Sequence, residues 1–262
     1  MASLALITGA SSGLGNELAK QLAVYGTPLL LTGRNSKALQ DLQKELSVYT
    51  EVSILTADLS IENERNKILD AIKTHKPDLV INAAGFGLYG KATSFPIEDE
   101  LNIVKTNIEA LTAITLQAAK TLMENKMPGV IMNISSAASY LHYPSLSVYS
   151  ASKAYVTHFS QSLDFETRPY EVRVLVSCPG QVATAFRERA SLGHDRHQRD
   201  YQTLSVDKAA HLILQQIAQK KPIQIIDYRY KILVFIARFC IPKKILQSIL
   251  QKEIEKRIIP RS

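Results

Sequence analysis

The segment SLALITGASSGLGNELAKQLAVYG, residues 3–26, decides how the chain is read. Ser3 to Ile7 form an apolar run with the character of a buried strand, and Thr8 to Gly13 a turn. Leu14 to Tyr25 place apolar residues at 14, 18, 19 and 22, one face of a helix that Gly26 closes. Between strand and helix lies Thr8-Gly9-Ala10-Ser11-Ser12-Gly13-Leu14-Gly15. Glycines at such a turn let the backbone approach a pyrophosphate that the helix N-terminus then faces, because a Cβ would block it.

The same period recurs along the chain. Strands are expected at Leu29 to Thr32, Val52 to Leu55, Leu79 to Asn82, Val130 to Ser135, Val172 to Ser177 and Ile223 to Ile226. Helices fall between them: one with Leu39, Leu42 and Leu46 on a face, one capped by Ser60 and running towards His75, one long helix over about Glu98 to Met123, and one near Asp207 to Gln219. The strands are apolar throughout rather than alternating, which predicts an α/β fold, a doubly wound parallel sheet with helices on both faces. Ligands of such sheets bind beyond the carboxyl ends of the strands. Gly9, Arg34, Asp58, Asn82, Ser136 and Pro179-Gly180 all fall there, on one edge. At the end of the second strand, Arg34 stands where a carboxylate would bind a ribose 2′-hydroxyl. Its guanidinium suits a 2′-phosphate, which favours NADP(H) over NAD(H).

Tyr149-Ser150-Ala151-Ser152-Lys153 carries the chemistry. In a helix beginning near Ser147, residues four apart share a face, so the Tyr149 hydroxyl and the Lys153 ammonium are brought together. A cation about 4 Å from a phenol at an effective dielectric of ~20 favours the phenolate by ~4 kcal/mol, lowering its pKa by roughly three units. A proton donor poised near the working pH is what carbonyl or alcohol chemistry needs.

Composition bounds the rest. At 262 residues the chain suits one large α/β domain. Cys178 and Cys240 are far apart, so neither a disulfide framework nor a metal site is expected, and two buried thiols suit a reducing, cytoplasmic setting. The start, MASLALITGA, shows no charged region followed by a cleavage site, so neither a secretory signal nor an N-terminal membrane anchor is expected. Of the net charge of +7, residues 220–262 hold 11 basic and 3 acidic residues against 20 and 21 in the remainder. The body lacks an aromatic-interleaved basic stripe, so no nucleic-acid partner is expected.

Taken together, these residues resemble the short-chain dehydrogenase/reductase family over roughly Leu4 to Ile226. The family's TGxxxGxG turn matches Thr8 to Gly15, its NAG-type strand end Asn82-Ala83-Ala84-Gly85, its YxxxK Tyr149 to Lys153, and its PG segment Pro179-Gly180 with Val182 and Thr184. The resemblance implies a Rossmann fold and a homo-oligomer, a dimer or tetramer. It implies a catalytic serine 13 residues before the tyrosine, which is Ser136 rather than Ser135, and a supporting helical asparagine, Asn107. It further implies that Lys153 binds the nicotinamide ribose and that Asp58, with Leu59 beside it, meets the adenine. Asn82 and Gly85 would pass beneath the cofactor ribose, and Val182 and Thr184 would touch the nicotinamide end. The expected activity is interconversion of a carbonyl and a secondary alcohol, on a small-molecule substrate of lipophilic or acyl character. A cofactor-binding regulatory or scaffold protein is the rival outside enzymes, opposed by the intact Asn107, Ser136, Tyr149 and Lys153. A dehydratase or epimerase on the same scaffold stays open.

Two stretches depart from that framework. Phe186 to Leu204 is polar and basic, with Arg187, Arg189, His194, Arg196, His197 and Arg199, where the family has a variable substrate lid; its composition fits a solvated loop and also an anionic substrate. His142 and Tyr143 are expected as wall residues. Beyond a catalytic domain of residues 1–228, the extension 229–262 holds an apolar run, Ile232 to Ala237, too short to cross a bilayer. After it Leu246, Leu250, Ile254 and Ile258 recur every four residues among Lys243, Lys244, Lys252, Lys256 and Arg257. That basic amphipathic pattern fits peripheral contact with an anionic membrane, and equally packing on the body or on a second subunit.

Overall fold

A computed structural model describes residues 3–191 and 203–239, together with Ile241, Pro242, Ile245 and Ser248. Seven parallel strands form one sheet in the order β3-β2-β1-β4-β5-β6-β7: β1 Ala5–Thr8, β2 Leu29–Gly33, β3 Val52–Thr56, β4 Leu79–Asn82, β5 Gly129–Ile134, β6 Val172–Ser177 and β7 Ile223–Gln224. The order reverses between β1 and β4, where Thr8 pairs with Asn82, so a crevice opens there at the carboxyl edge. The doubly wound parallel sheet expected from the apolar runs is observed. Its strands are apolar throughout because both faces are covered: Ile7, Leu31 and Ile81 meet one core, and Leu6, Val80 and Ile131 the other.

The covering helices are α1 Gly13–Val24, α2 Ser36–Leu46, α3 Glu62–His75, α4 Ile97–Val104, α5 Leu111–Glu124, α6 Ser147–Thr167, α7 Phe186–Ala190, α8 Val206–Ala218 and α9 Tyr228–Phe239. Leu39, Leu42 and Leu46 of α2 are buried as their spacing required. Ser60 does not cap α3, which starts at Glu62 after an uncapped Ile61; Asp58 instead accepts from the Ser60 amide at 2.9 Å and its hydroxyl at 2.7 Å. The nearer carboxylate took the hydroxyl. Nor is the helix after β4 regular, since Lys105–Ala110 between α4 and α5 is a π-helical segment.

Asp164 fixes α6 against the sheet. Almost wholly buried, it accepts from Arg168 at 2.6 Å, from Arg173 of β6 at 2.8 Å and from the Val174 amide at 3.0 Å. Burial alone would raise its pKa, but these donors outweigh that and hold it below the usual carboxylate range. The expected loop from Pro179 contains α7, and the apolar run of the extension lies within α9. That helix docks on the body through buried Val234 and Ala237, while Ile232, Leu233, Phe235, Ile236 and Phe239 are exposed. His194, Arg196, His197, Arg199 and the repeat from Leu246 to Ile258 lie outside the described residues.

Candidate active site

Helix α6 brings Tyr149 and Lys153 to the crevice one turn apart, the Lys153 ammonium lying 5.8 Å from the centre of the Tyr149 ring. Lys153 is buried and donates to the Ile134 carbonyl at 2.9 Å. Burial brings its pKa down to about 8, partly opposed by the neighbouring Cys178. For Tyr149 the sequence-based expectation is overturned: loss of surrounding water pushes the phenol above its ordinary value, a hydrogen bond with Ser136 draws it back in part, and Tyr89 raises it again. Lys153 does not offset this rise; its ammonium donates to the Ile134 carbonyl at the end of β5. Tyr149 therefore keeps its proton at neutral pH.

The serine pair divides its work. Ser135 turns inward, donating to the Lys153 carbonyl at 2.8 Å and sharing a 2.7 Å bond with Thr157, which clamps β5 to α6. Ser136 faces Tyr149 and accepts from the Ala138 amide at 3.1 Å, opening a short 3-10 turn, Ala137–Tyr140.

Asn107 lies within the π segment and is fully buried. Its Oδ1 accepts from the Phe86 amide at 3.1 Å, while Nδ2 donates to the Phe86 carbonyl at 2.9 Å and to Ser152 Oγ at 3.0 Å. A Cβ on Gly85 would lie 3.0 Å from Asn107 Oδ1 and 3.2 Å from Lys153 Nζ; one on Gly87 would lie 2.8 Å from the Tyr149 ring. The loop after β4 thus passes over the two functional side chains at a distance that favours glycine.

The cofactor-edge residues gather as expected but several do different work. Gly9, at φ +70°, and Gly15 are required by the protein's own packing: a Cβ on the first would meet Ala84 Cα at 2.8 Å and on the second the Gly9 carbonyl oxygen at 2.6 Å. Backbone packing of the turn onto α1 and the end of β4 thus adds a second need for glycine at both positions. Gly13, at φ +59°, faces Thr184. Ser12 precedes α1 without capping it, which leaves the first amides of that helix for a ligand, and Ser11 packs under Gly33. Thr8 Oγ1 accepts from the Ala84 amide at 3.1 Å, Ala83 packs against the core, and Leu14 does likewise. Asn82 spends its amide on Thr115 at 3.0 Å and Asn133 at 2.8 Å, so its side chain serves the interior. Leu59 is buried, while Arg34 is exposed with Asp58 at 3.8 Å. The Pro179 carbonyl accepts from the Ala137 amide at 2.8 Å, Val182 bridges to Leu204, and Thr184 accepts from the Phe186 amide at 3.3 Å. These residues fit a dinucleotide: an uncapped helix N-terminus on a glycine turn, with an exposed guanidinium at the end of β2.

Sequence reasoning missed Gly87, Phe186, Ser152, Tyr89 and Tyr230. The Phe186 ring lies tilted at 5.4 Å from the Tyr149 ring, and the Tyr230 ring covers Gly180 so closely that a Cβ there would clash with it. Gly87 had a signal, a second glycine two residues after Gly85; the aromatic contacts join distant elements and had none. Among the described residues no His, Cys, Asp and Glu cluster could hold a metal ion.

The sequence pattern of short chain dehydrogenases matches residues 3–194. The chain is 32% identical over 220 residues to sulfoacetaldehyde reductase 2 of Chromohalobacter salexigens, covering 81% of this chain and 87% of that protein. With the NADP-dependent 3-hydroxy acid dehydrogenase of Schizosaccharomyces pombe it shares 28% identity over 232 residues, 85% of this chain and 89% of the other. Among solved structures, a short-chain dehydrogenase from Sphingobium yanoikuyae in complex with NADPH superposes with a TM-score of 0.81 at 24% identity, over 99% of this chain and 97% of that one.

Proposed function

The chain belongs to the short chain dehydrogenase family and is an oxidoreductase of the NAD(P)-dependent kind, and from that premise we propose that it is an NADP(H)-dependent reductase of lipophilic, uncharged carbonyl compounds. The observation that carries this reading is Tyr149 beside Ser136, with the Phe186 ring 5.4 Å from the Tyr149 ring and the Tyr230 ring over Gly180. When bound, the nicotinamide supplies the hydride or takes it back. Every other task falls to this chain. Ser136 donates a hydrogen bond to the substrate oxygen as charge develops there, and Tyr149 delivers its proton to the same atom. Lys153 holds positive charge beneath the site at neutral pH, and Asn107 fixes the Phe86 loop above it. The raised phenol pKa keeps Tyr149 in the protonated form from which a proton can be delivered. Arg34 supports selection of the 2′-phosphate, consistent with the NADPH and NADP named for two of the similar proteins.

The test is NADPH oxidation against a panel of aromatic and aliphatic ketones, aldehydes and 3-oxoacyl thioesters. Turnover is expected with bulky uncharged carbonyls. No turnover across the panel, with NADPH bound, would favour the scaffold reading.

Two associations belong to the same proposal. Exposed Leu116, Tyr155 and Phe165 on the outer sides of α5 and α6 support a homo-oligomer, checked by sedimentation velocity. The exposed apolar side of α9, continued by a basic segment, supports peripheral contact with an anionic membrane. Co-sedimentation with anionic liposomes is expected for the intact chain and not for one ending at Asp227. No helix among the described residues is long and apolar enough to cross a bilayer.

A further inference from the structure

Helix α7 lies across the crevice like a strap. At one end Phe186 rests on Tyr149; at the other the Ala190 carbonyl accepts from the Tyr89 amide at 2.8 Å. Between them Arg189 is exposed and bends back over the glycine turn, its Nε donating to the Ala185 carbonyl at 3.2 Å and its Nη2 to Ser12 Oγ at 3.2 Å. Ser12 is the residue that precedes α1 without capping it, and Thr184, just before α7, stands over Gly13. The turn from Thr8 to Gly15 contains no charged residue of its own.

We infer that Arg189 is a cofactor-binding residue, whose guanidinium closes over the pyrophosphate seated on the glycine turn. The inference rests on the dinucleotide reading of that turn. A pyrophosphate carries two negative charges, and the backbone amides at the start of α1 present only partial positive charge. A planar guanidinium offers paired donors suited to phosphate oxygens. Nε is tied to the backbone of α7, so the head group is already aimed at Ser12 before a ligand arrives, and little freedom is lost on binding. Because Arg189 and Phe186 share one short helix, binding at the phosphate end also steadies the aromatic wall beside Tyr149. Arg189 thereby lends its charge to the cofactor.

The experiment measures affinities of the full-length chain for NADPH, NADH and 2′-AMP by calorimetry, with Arg189→Ala, Arg189→Lys and Arg34→Ala compared. Arg189→Ala is expected to weaken NADPH and NADH alike, about tenfold or more, as loss of a charge-assisted bond requires, and to leave 2′-AMP unchanged. Arg189→Lys restores part of the loss. Arg34→Ala gives the opposite pattern, weakening NADPH and 2′-AMP but not NADH. Unchanged dinucleotide affinity in Arg189→Ala, or a loss confined to NADPH, overturns the inference. A native chain that binds neither dinucleotide overturns the cofactor reading itself, and this inference with it.

Discussion

Asn107 and Ser152 are joined by a 3.0 Å hydrogen bond that ties the π segment to the helix bearing Tyr149 and Lys153. The same amide group holds both backbone polar groups of Phe86, so one buried side chain sets the spacing of three segments. Asn107 makes these bonds from within the π-helical segment, a feature frequent at functional sites.

Replacing Asn107 with Leu leaves the Phe86 amide and carbonyl and the Ser152 hydroxyl without this partner. Ser152 keeps its bond to the Tyr149 carbonyl, so the two Phe86 groups, at about 1–3 kcal/mol each, give an expected loss of roughly 2–6 kcal/mol by urea denaturation. Asn107→Asp, which keeps Oδ1 for the Phe86 amide, should retain the fold better yet lower kcat, since both Nδ2 bonds are gone.

Gly87→Ala places a methyl 2.8 Å from the Tyr149 ring. Either the ring or the loop must shift. Because a small misplacement of a reacting group is costly, kcat should fall about tenfold or more while NADPH affinity, read by calorimetry, stays near native.

Lys153 gives a pH signature. Its folded pKa of about 8 lies below the unfolded lysine value, so the unfolded chain binds the proton more tightly and the charge opposes folding. The penalty is full below pH 8 and is relieved as pH rises towards about 10.5, where the unfolded lysine also deprotonates. Lys153→Met, free of this charge, should therefore lose its relative stability advantage by about 3 kcal/mol across that window. Urea titrations at several pH values check this; a constant difference would mean an ordinary lysine.

Arg34→Ala should raise the KM for NADPH about tenfold or more with little effect on NADH, because a 2′-phosphate contact is charge-assisted. Steady-state kinetics with both cofactors decide it. A parallel loss for the two would assign Arg34 to a structural role through its 3.8 Å contact with Asp58.

Much of this was open to reading from residues because the signals were local. Strands buried on both faces, such as Leu29 to Gly33 and Leu79 to Asn82, announce themselves as unbroken apolar runs, and Tyr149 and Lys153 share a face by helical period alone. What escaped depended on competition or distance. Ser60 had the character of a cap, yet Asp58 two residues earlier took its hydroxyl. The π segment keeps an apolar pattern that a regular helix would also satisfy. The phenol pKa followed first from the burial of Tyr149, which spacing does not reveal. Arg189 and Ser12 are 177 residues apart, and only the closing of α7 over the crevice brings them together.

The most direct measurement of the central claim is single-turnover oxidation of NADPH by Tyr149→Phe, with a carbonyl compound that the native protein reduces. The variant keeps the ring beside Phe186 and loses only the proton donor. The account predicts a fall of about 100-fold or more in rate with NADPH affinity retained. A variant that reduces the same substrate at the native rate contradicts it.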